Sequence, residues 1–250
     1  MNKIINDFEQ EKKRLIATQG ADDNIKSLAN RFLVDTAQYK YSYLFSWLGR
    51  PIIQFPQDIL AIQEIIWTVQ PDLIIETGIA HGGSLIFSAS ILELNAICGG
   101  PVNAEVLGID IEIRQHNRKA IIAHPLSHRI EMIEGSSIES DIVEQVRQKA
   151  QNKEKILVLL DSNHTHAHVL AELKAYAPLV SIGSYCVVFD TVIEDMPADS
   201  FADRPWGLGN NPKTAVWEFL KTHPEFTIDK DIENKLMITV APDGYMKRIS

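Results

Sequence analysis

The stretch Asp72-Leu-Ile-Ile-Glu-Thr-Gly-Ile-Ala-His-Gly-Gly-Ser84 constrains the chain more than any other. Leu73-Ile74-Ile75 is a short apolar, β-branched run between Pro71 and Gly78, the pattern of a buried strand in a parallel sheet. Gly78, Gly82 and Gly83 suit a tight turn or the close approach of a ligand, and helical spacing resumes from Ser84 to Leu94. In open α/β sheets ligands gather outside such strand ends, over helix N-termini. The spacing matches neither the P-loop nor the dinucleotide fingerprint, because an acid, Glu76, precedes the first glycine by two residues. A carboxylate there repels a pyrophosphate and suits a cationic ligand. S-adenosylmethionine, with an ammonium, a sulfonium and no phosphate, fits this demand. The alternative is a helix entry whose glycines serve packing alone.

The rest of the chain repeats the theme. Short apolar runs fall at Glu105–Asp110, Arg129–Ile133, Lys155–Asp161 and Ser184–Asp190, each followed by a helical stretch or a loop. Two further strands are expected at Phe226–Asp229 and Leu236–Val240, with helices at Gln57–Val69, Arg114–Ala123, Ile138–Ala150, Val169–Ala177 and from Pro212 to about Thr222. The alternation predicts a doubly wound, Rossmann-like α/β fold: a mostly parallel seven-stranded sheet, helices on both faces and a C-terminal antiparallel hairpin. Helices over 2–19 and Asn24–Thr36 form an N-terminal extension. We divide the chain into that extension, 1–45, and a main domain, 46–250. The aromatic stretch Tyr39–Pro56 is either core or a wall for a substrate. The long loop Ile193–Asn211, with Trp206, is expected to act as a lid.

Charge and composition exclude several partners. With 24 basic and 33 acidic residues the net charge is −9 and no basic run occurs, which argues against nucleic acid or an anionic membrane surface. No apolar run reaches the length of a membrane span, and the charged N-terminus is unlike a signal peptide, so the expected location is the cytoplasm. Cys98 and Cys186 are expected to be reduced, buried thiols.

Candidate chemistry clusters at strand ends. Asp110 stands where an acid holds the two hydroxyls of a nucleoside ribose, or else caps the next helix. Ser136 and Ser137 face an adenine ring, cap a helix, or both. Asp161 and Asp190 end successive parallel strands and should converge, sharing a proton or holding a hard cation such as Mg²⁺. His164, three residues past Asp161, is the candidate general base, with a capping or buried histidine as the alternative; His81 is a weaker one. His164 and His168 have zinc-ligand spacing but no evident third partner.

Together these residues resemble the class I S-adenosylmethionine-dependent methyltransferases, and more closely the cephalosporin hydroxylase-like family with its rhamnosyl and antibiotic O-methyltransferase relatives. The carriers are Trp47-Leu-Gly-Arg-Pro51, Phe55-Pro-Gln-Asp58, Ile75-Glu-Thr-Gly78 with His81-Gly-Gly-Ser84, Gly108-Ile-Asp110, Glu134-Gly-Ser-Ser137, Leu160-Asp-Ser-Asn-His164 with His168-Val, Gly183-Ser-Tyr185 and Asp190-Thr191. The resemblance implies that Glu76, Gly78, Ala80 and Ser84 line the methionine part of the cofactor, that Asp110 binds ribose, and that Ser136 and Ser137 lie near the adenine. It also implies a Mg²⁺ site on Asp161 and a Glu-Asp pair, of which Phe189 replaces the glutamate and Asp190 remains. The expected activity is methyl transfer to a hydroxyl of a saccharide or glycosylated metabolite, the stacking faces being Trp47, Trp206 and the tyrosines. A cofactor-binding partner of a separate oxygenase is the alternative and a dinucleotide-dependent oxidoreductase the third reading. A homo-oligomer built on the N-terminal helices is compatible with all three.

Overall fold

The computed structural model describes residues 3–250. Two helices open the chain, α1 (Lys3–Gly20) and α2 (Asp23–Ala37), the second capped by Asp22, whose side chain accepts from the amides of Asn24 and Ile25. A two-stranded antiparallel ribbon follows, β1 (Phe45–Trp47) with β2 (Arg50–Ile52). After α3 (Pro56–Val69) the main sheet begins with β3 (Leu73–Thr77), α4 (Gly83–Ile97), β4 (Glu105–Asp110), α5 (Gln115–Ile122), β5 (Ile130–Glu134) and α6 (Ser140–Ala150). It continues through β6 (Ile156–Leu160), α7 (His166–Tyr176), β7 (Tyr185–Val188), α8 (Pro212–Leu220), β8 (Phe226–Ile228), α9 (Lys230–Leu236) and β9 (Tyr245–Arg248).

The seven strands lie in the order β5-β4-β3-β6-β7-β9-β8. The first five are parallel, and β9 runs antiparallel between β7 and β8. The order reverses at β3, whose neighbours β4 and β6 are reached on opposite sides, and in such sheets the cleft forms at that switch point. Side-chain alternation divides the interior in two. Ile74, Val106 and Leu157 join residues of α3 and α4 on one face, while Leu73, Ile75, Leu107 and Val158 join α6, α7 and α8 on the other. Helices therefore cover both faces, as expected.

Two elements depart from expectation. The apolar run Leu236–Val240 is not a strand: α9 ends there, at Met237 with φ +60°, and the Val240 amide and Thr239 hydroxyl bond to Asp58 instead of a sheet neighbour. The second C-terminal strand is Tyr245–Arg248, joined to β8 through α9 and not by a tight hairpin turn. The ribbon β1–β2 lies within the aromatic stretch Tyr39–Pro56, where no strand is expected from the sequence. Cys186 is buried as expected, but Cys98 is exposed; both are free. Among the described residues no helix is long and apolar enough to cross a membrane.

Candidate active site

Three strand ends and the ribbon build the site. At the end of β3 the chain turns through Gly78, φ +92°, where a Cβ would stand 2.1 Å from the Asp161 carbonyl oxygen. Only glycine fits between these two strand ends. Gly83 is equally confined, by the Pro51 carbonyl oxygen at 2.1 Å from a built Cβ. The loop between them is pinned through its backbone: Asp110 Oδ2 accepts from the amides of Ile79 (2.8 Å) and Ala80 (3.2 Å), Asn117 Nδ2 donates to Ala80 O (2.8 Å), and Arg50 Nε donates to His81 O (2.9 Å). Asp110 is thus not the cap of α5, which begins after Arg114.

Glu76, near the end of β3, is 3% exposed. Ser84 donates its hydroxyl to Oε1, and Oε2 is buried without a partner. Burial pushes its carboxyl up to about 7, against the opposing pull of the Ser84 hydrogen bond. Helix α4 starts after Gly82 with no side-chain cap, so its first amide groups are left for another acceptor.

Across the same opening stand Asp161, His164 and Asp190, each with one ligand atom within 4.8 Å of the others. His164 Nε2 is 3.1 Å from Asp190 Oδ2, and its ring meets Trp206 edge-on at 4.8 Å. Asp190 directs its carboxylate from a left-handed backbone, φ +55°. Asp161 has its carboxyl held well above the usual range by burial first, then by the negative charges of Asp190 and Glu76. Phe189, 2% exposed, lines the cavity beside these residues with a ring that carries no ligand oxygen. A cavity of about 280 Å³ joins the two sides; Tyr43, Gln54, Gly78, Ser84, Asp161, His164 and Asp190 are among its walls.

A smaller pocket of about 90 Å³ lies beside Asp110, lined also by Ser136, Ser137, Ser162, Asn163 and His168. Neither serine caps α6, whose N-cap is Glu139. Ser137 donates to Glu172 Oε1 at 2.6 Å. The other histidines separate from the cluster: His166 bonds Thr214 and Glu218, and His168 bonds Ser137 and Ser162. Hence His164 and His168 do not form a zinc pair. Trp47 also turns away from the opening, donating to Ser90 Oγ (3.0 Å) and packing on Phe87. Gln54, Asn117 and Glu172 take part in this site although no motif pointed to them, and Arg50 does so from within the Trp47-Leu-Gly-Arg-Pro51 motif. The available signals were a glutamine inside Pro51-Ile-Ile-Gln-Phe55 and a glutamate between Val169 and Leu173 on an otherwise apolar helix face.

The family model described as Rhamnosyl O-methyltransferase/CmcI matches residues 39–249. A rhamnosyl O-methyltransferase from Mycobacterium tuberculosis (strain ATCC 25618 / H37Rv) is 35% identical over 196 residues, 76% of this chain and 73% of that protein. Its counterpart from Mycobacterium leprae (strain TN) is 31% identical over 205 residues, 81% of this chain and 82% of that one. A solved structure of CmcI with Mg and SAM superposes with a TM-score of 0.56 at 19% identity, covering 83% of this chain and 78% of that chain, which shows the shared fold. The chain therefore belongs to the Rhamnosyl O-methyltransferase/CmcI family.

Proposed function

We propose that the chain is an S-adenosylmethionine-dependent O-methyltransferase, assisted by Mg²⁺, that methylates a hydroxyl of a sugar or glycosylated metabolite. One observation carries this reading: a single cavity joins the Glu76–Ser84 side of the cradle to the Asp161–His164–Asp190 cluster. Relatives named for rhamnosyl O-methylation support the substrate class.

The residues fit the cofactor. Glu76 Oε2 and Gln54 Oε1 are both buried without partners, a state that costs about 1–3 kcal/mol each unless a ligand supplies them. The α-amino acid end of S-adenosylmethionine carries an ammonium for Glu76 and a carboxylate for the uncapped N-terminus of α4. Asp110 Oδ2 is taken up by the Ile79 and Ala80 amides, and Oδ1, which also accepts from the Glu112 amide, keeps a lone pair for a ribose hydroxyl. Ser136 and Ser137 line the adjoining pocket for the adenine. Asp161 and Asp190 offer Mg²⁺ two carboxylates, enough for an ion that keeps several waters.

Bound S-adenosylmethionine supplies an electrophilic methyl group, and bound Mg²⁺ supplies positive charge that acidifies a hydroxyl and fixes its direction. The protein's own task is to place the acceptor oxygen in line and take its proton. In the tautomer that donates Nε2–H to Asp190, His164 keeps its Nδ1 lone pair as the base, and Asp190 stabilises the imidazolium formed. Trp206 holds the His164 ring in place. Tyr43, exposed at the cavity, offers an aromatic face to a sugar.

The test is calorimetric titration with S-adenosylmethionine, with Mg²⁺ and again with a chelator, followed by a rhamnoside as acceptor. Cofactor binding in both conditions, with the acceptor binding only alongside Mg²⁺, is the expected result. Absence of cofactor binding in either condition overturns the assignment. An Asp161→Ala variant that keeps cofactor binding but loses turnover separates an enzyme from a non-catalytic partner of an oxygenase, which has no turnover to lose.

A further inference from the structure

Glu172 is completely buried on α7 and has no part in methyl transfer as described. Its Oε1 accepts two hydroxyl protons, from Ser137 Oγ at 2.6 Å and from Ser162 Oγ at 2.6 Å. The two serines follow different strands, β5 and β6, so one carboxyl group ties together the two loops that flank the 90 Å³ pocket beside Asp110. His168, one helical turn before Glu172, places Nε2 3.1 Å from Ser137 Oγ and 3.2 Å from Ser162 Oγ. A hydroxyl has one proton and two lone pairs. With both serine protons given to Glu172, each serine meets His168 through a lone pair, which puts the imidazole proton on Nε2. Each serine is left with one lone pair and no proton to offer a ligand.

Asn163 completes the pattern. Its Oδ1 accepts from the Thr165 amide (2.9 Å) and the Thr165 hydroxyl (2.8 Å), so the side chain is fixed with its Nδ2 donors as the remaining capacity. The pocket therefore offers acceptors from Ser137 and Ser162 and a donor from Asn163. A 6-aminopurine presents the complementary edge, an amino donor beside a ring-nitrogen acceptor. A 6-oxopurine presents the reverse, an oxygen acceptor beside a ring N–H.

We propose that Glu172 is a positioning residue that holds the Ser137 and Ser162 hydroxyls as acceptors, so that this pocket selects a 6-aminopurine nucleoside over its 6-oxo counterpart. The inference rests on the cofactor reading above and adds the groups that discriminate the base. Its test is calorimetry on the full chain with two probes, S-adenosylhomocysteine and S-inosylhomocysteine. The wild-type protein should prefer the adenosyl compound about tenfold or more, the outcome of setting buried polar groups against a mismatched edge. In Glu172→Gln the new amide donates to one serine and frees a hydroxyl proton for the pocket, so the ratio should fall towards one. Ser162→Ala, which leaves the buried carboxyl with Ser137, should weaken adenosyl binding more than inosyl binding. Equal wild-type affinities overturn the inference alone. A Glu172→Gln variant that weakens both probes equally reduces Glu172 to a structural role and also overturns it. Absence of binding by S-adenosylhomocysteine sinks the cofactor reading and this inference together.

Discussion

His164 Nε2 stands 3.1 Å from Asp190 Oδ2, although the two residues follow different strands, β6 and β7. Parallel neighbours in register deliver both to one end of the sheet, with Val158 opposite Cys186 and Leu160 opposite Val188. The pair is the arrangement of a base and its orienting carboxylate.

Replacing His164 with glutamine should therefore lower turnover by about 10²- to 10⁴-fold, the usual worth of a positioned base, and leave S-adenosylhomocysteine affinity unchanged. Single-turnover methylation and calorimetry on the same variant separate the two effects. A loss of cofactor affinity parallel to the loss of rate would make His164 part of the binding wall instead.

Glu76 gives the site a pH dependence with a definite sign. In the ligand-free protein its carboxyl ionises only near pH 7, raised by burial, whereas an ammonium ligand requires the ionised form. Affinity for S-adenosylhomocysteine should fall as pH drops below 7, approaching tenfold per unit, and level off above it. The same shift acts oppositely on the empty fold: the folded state binds the proton more tightly, so this contribution to stability is complete below about 4.5 and lost as pH rises through 7. Titrations at pH 6, 7 and 8 on the wild type and Glu76→Gln check the binding claim, since the variant should bind weakly with no slope in this range.

Much of this was legible because strands in a parallel sheet are short, apolar and acid-terminated. The run from Glu105 to Asp110 is a strand with the bounds its sequence suggests, and Asp161 and Asp190 meet as their positions after neighbouring strands require. What the pattern could not supply was partner choice. Leu236–Val240 has the composition of a strand, but its polar groups were claimed by Asp58, far away in sequence. Ser137 looked like a cap because its partner, Glu172, is set by the packing of α7 and not by local spacing. Trp47 looked like a sugar platform, yet the ribbon turns it onto Phe87.

In the Mg²⁺-assisted reading proposed above, Phe189 limits the strength of the metal site. It is buried beside Asp190 in sequence and leaves two carboxylates, Asp161 and Asp190, to hold the ion. Phe189→Glu should raise Mg²⁺ affinity about tenfold, since each added oxygen ligand strengthens a hard-cation site. Removing a core aromatic should meanwhile cost about 3 kcal/mol of stability. Calorimetry with Mg²⁺ and urea unfolding measure the two together. Unchanged Mg²⁺ affinity in a folded variant would mean that the position does not face the ion.

Asp58 connects the far side of the fold to the cavity. It is fully buried in the first turn of α3, where it accepts from the Thr239 hydroxyl, the Tyr245 hydroxyl (2.7 Å) and the Val240 amide (3.0 Å); Val240 in turn lines the cavity. Burial raises its carboxyl to about 6 from 3.8, more than its three hydrogen bonds lower it. Because the folded state holds the proton more tightly, wild-type stability should decline by about 3 kcal/mol between pH 4 and 6 from this group and then level off. Asp58→Asn should remove that decline. Asp58→Ala strands two hydroxyls and an amide in the interior and should cost about 3 kcal/mol at every pH, with a rise in the acceptor's KM as the Val240 wall loosens. Urea unfolding at pH 4, 5, 6 and 7 distinguishes the variants. A wild-type curve that rises relative to the asparagine curve between pH 4 and 6 would show that the three hydrogen bonds outweigh burial at Asp58.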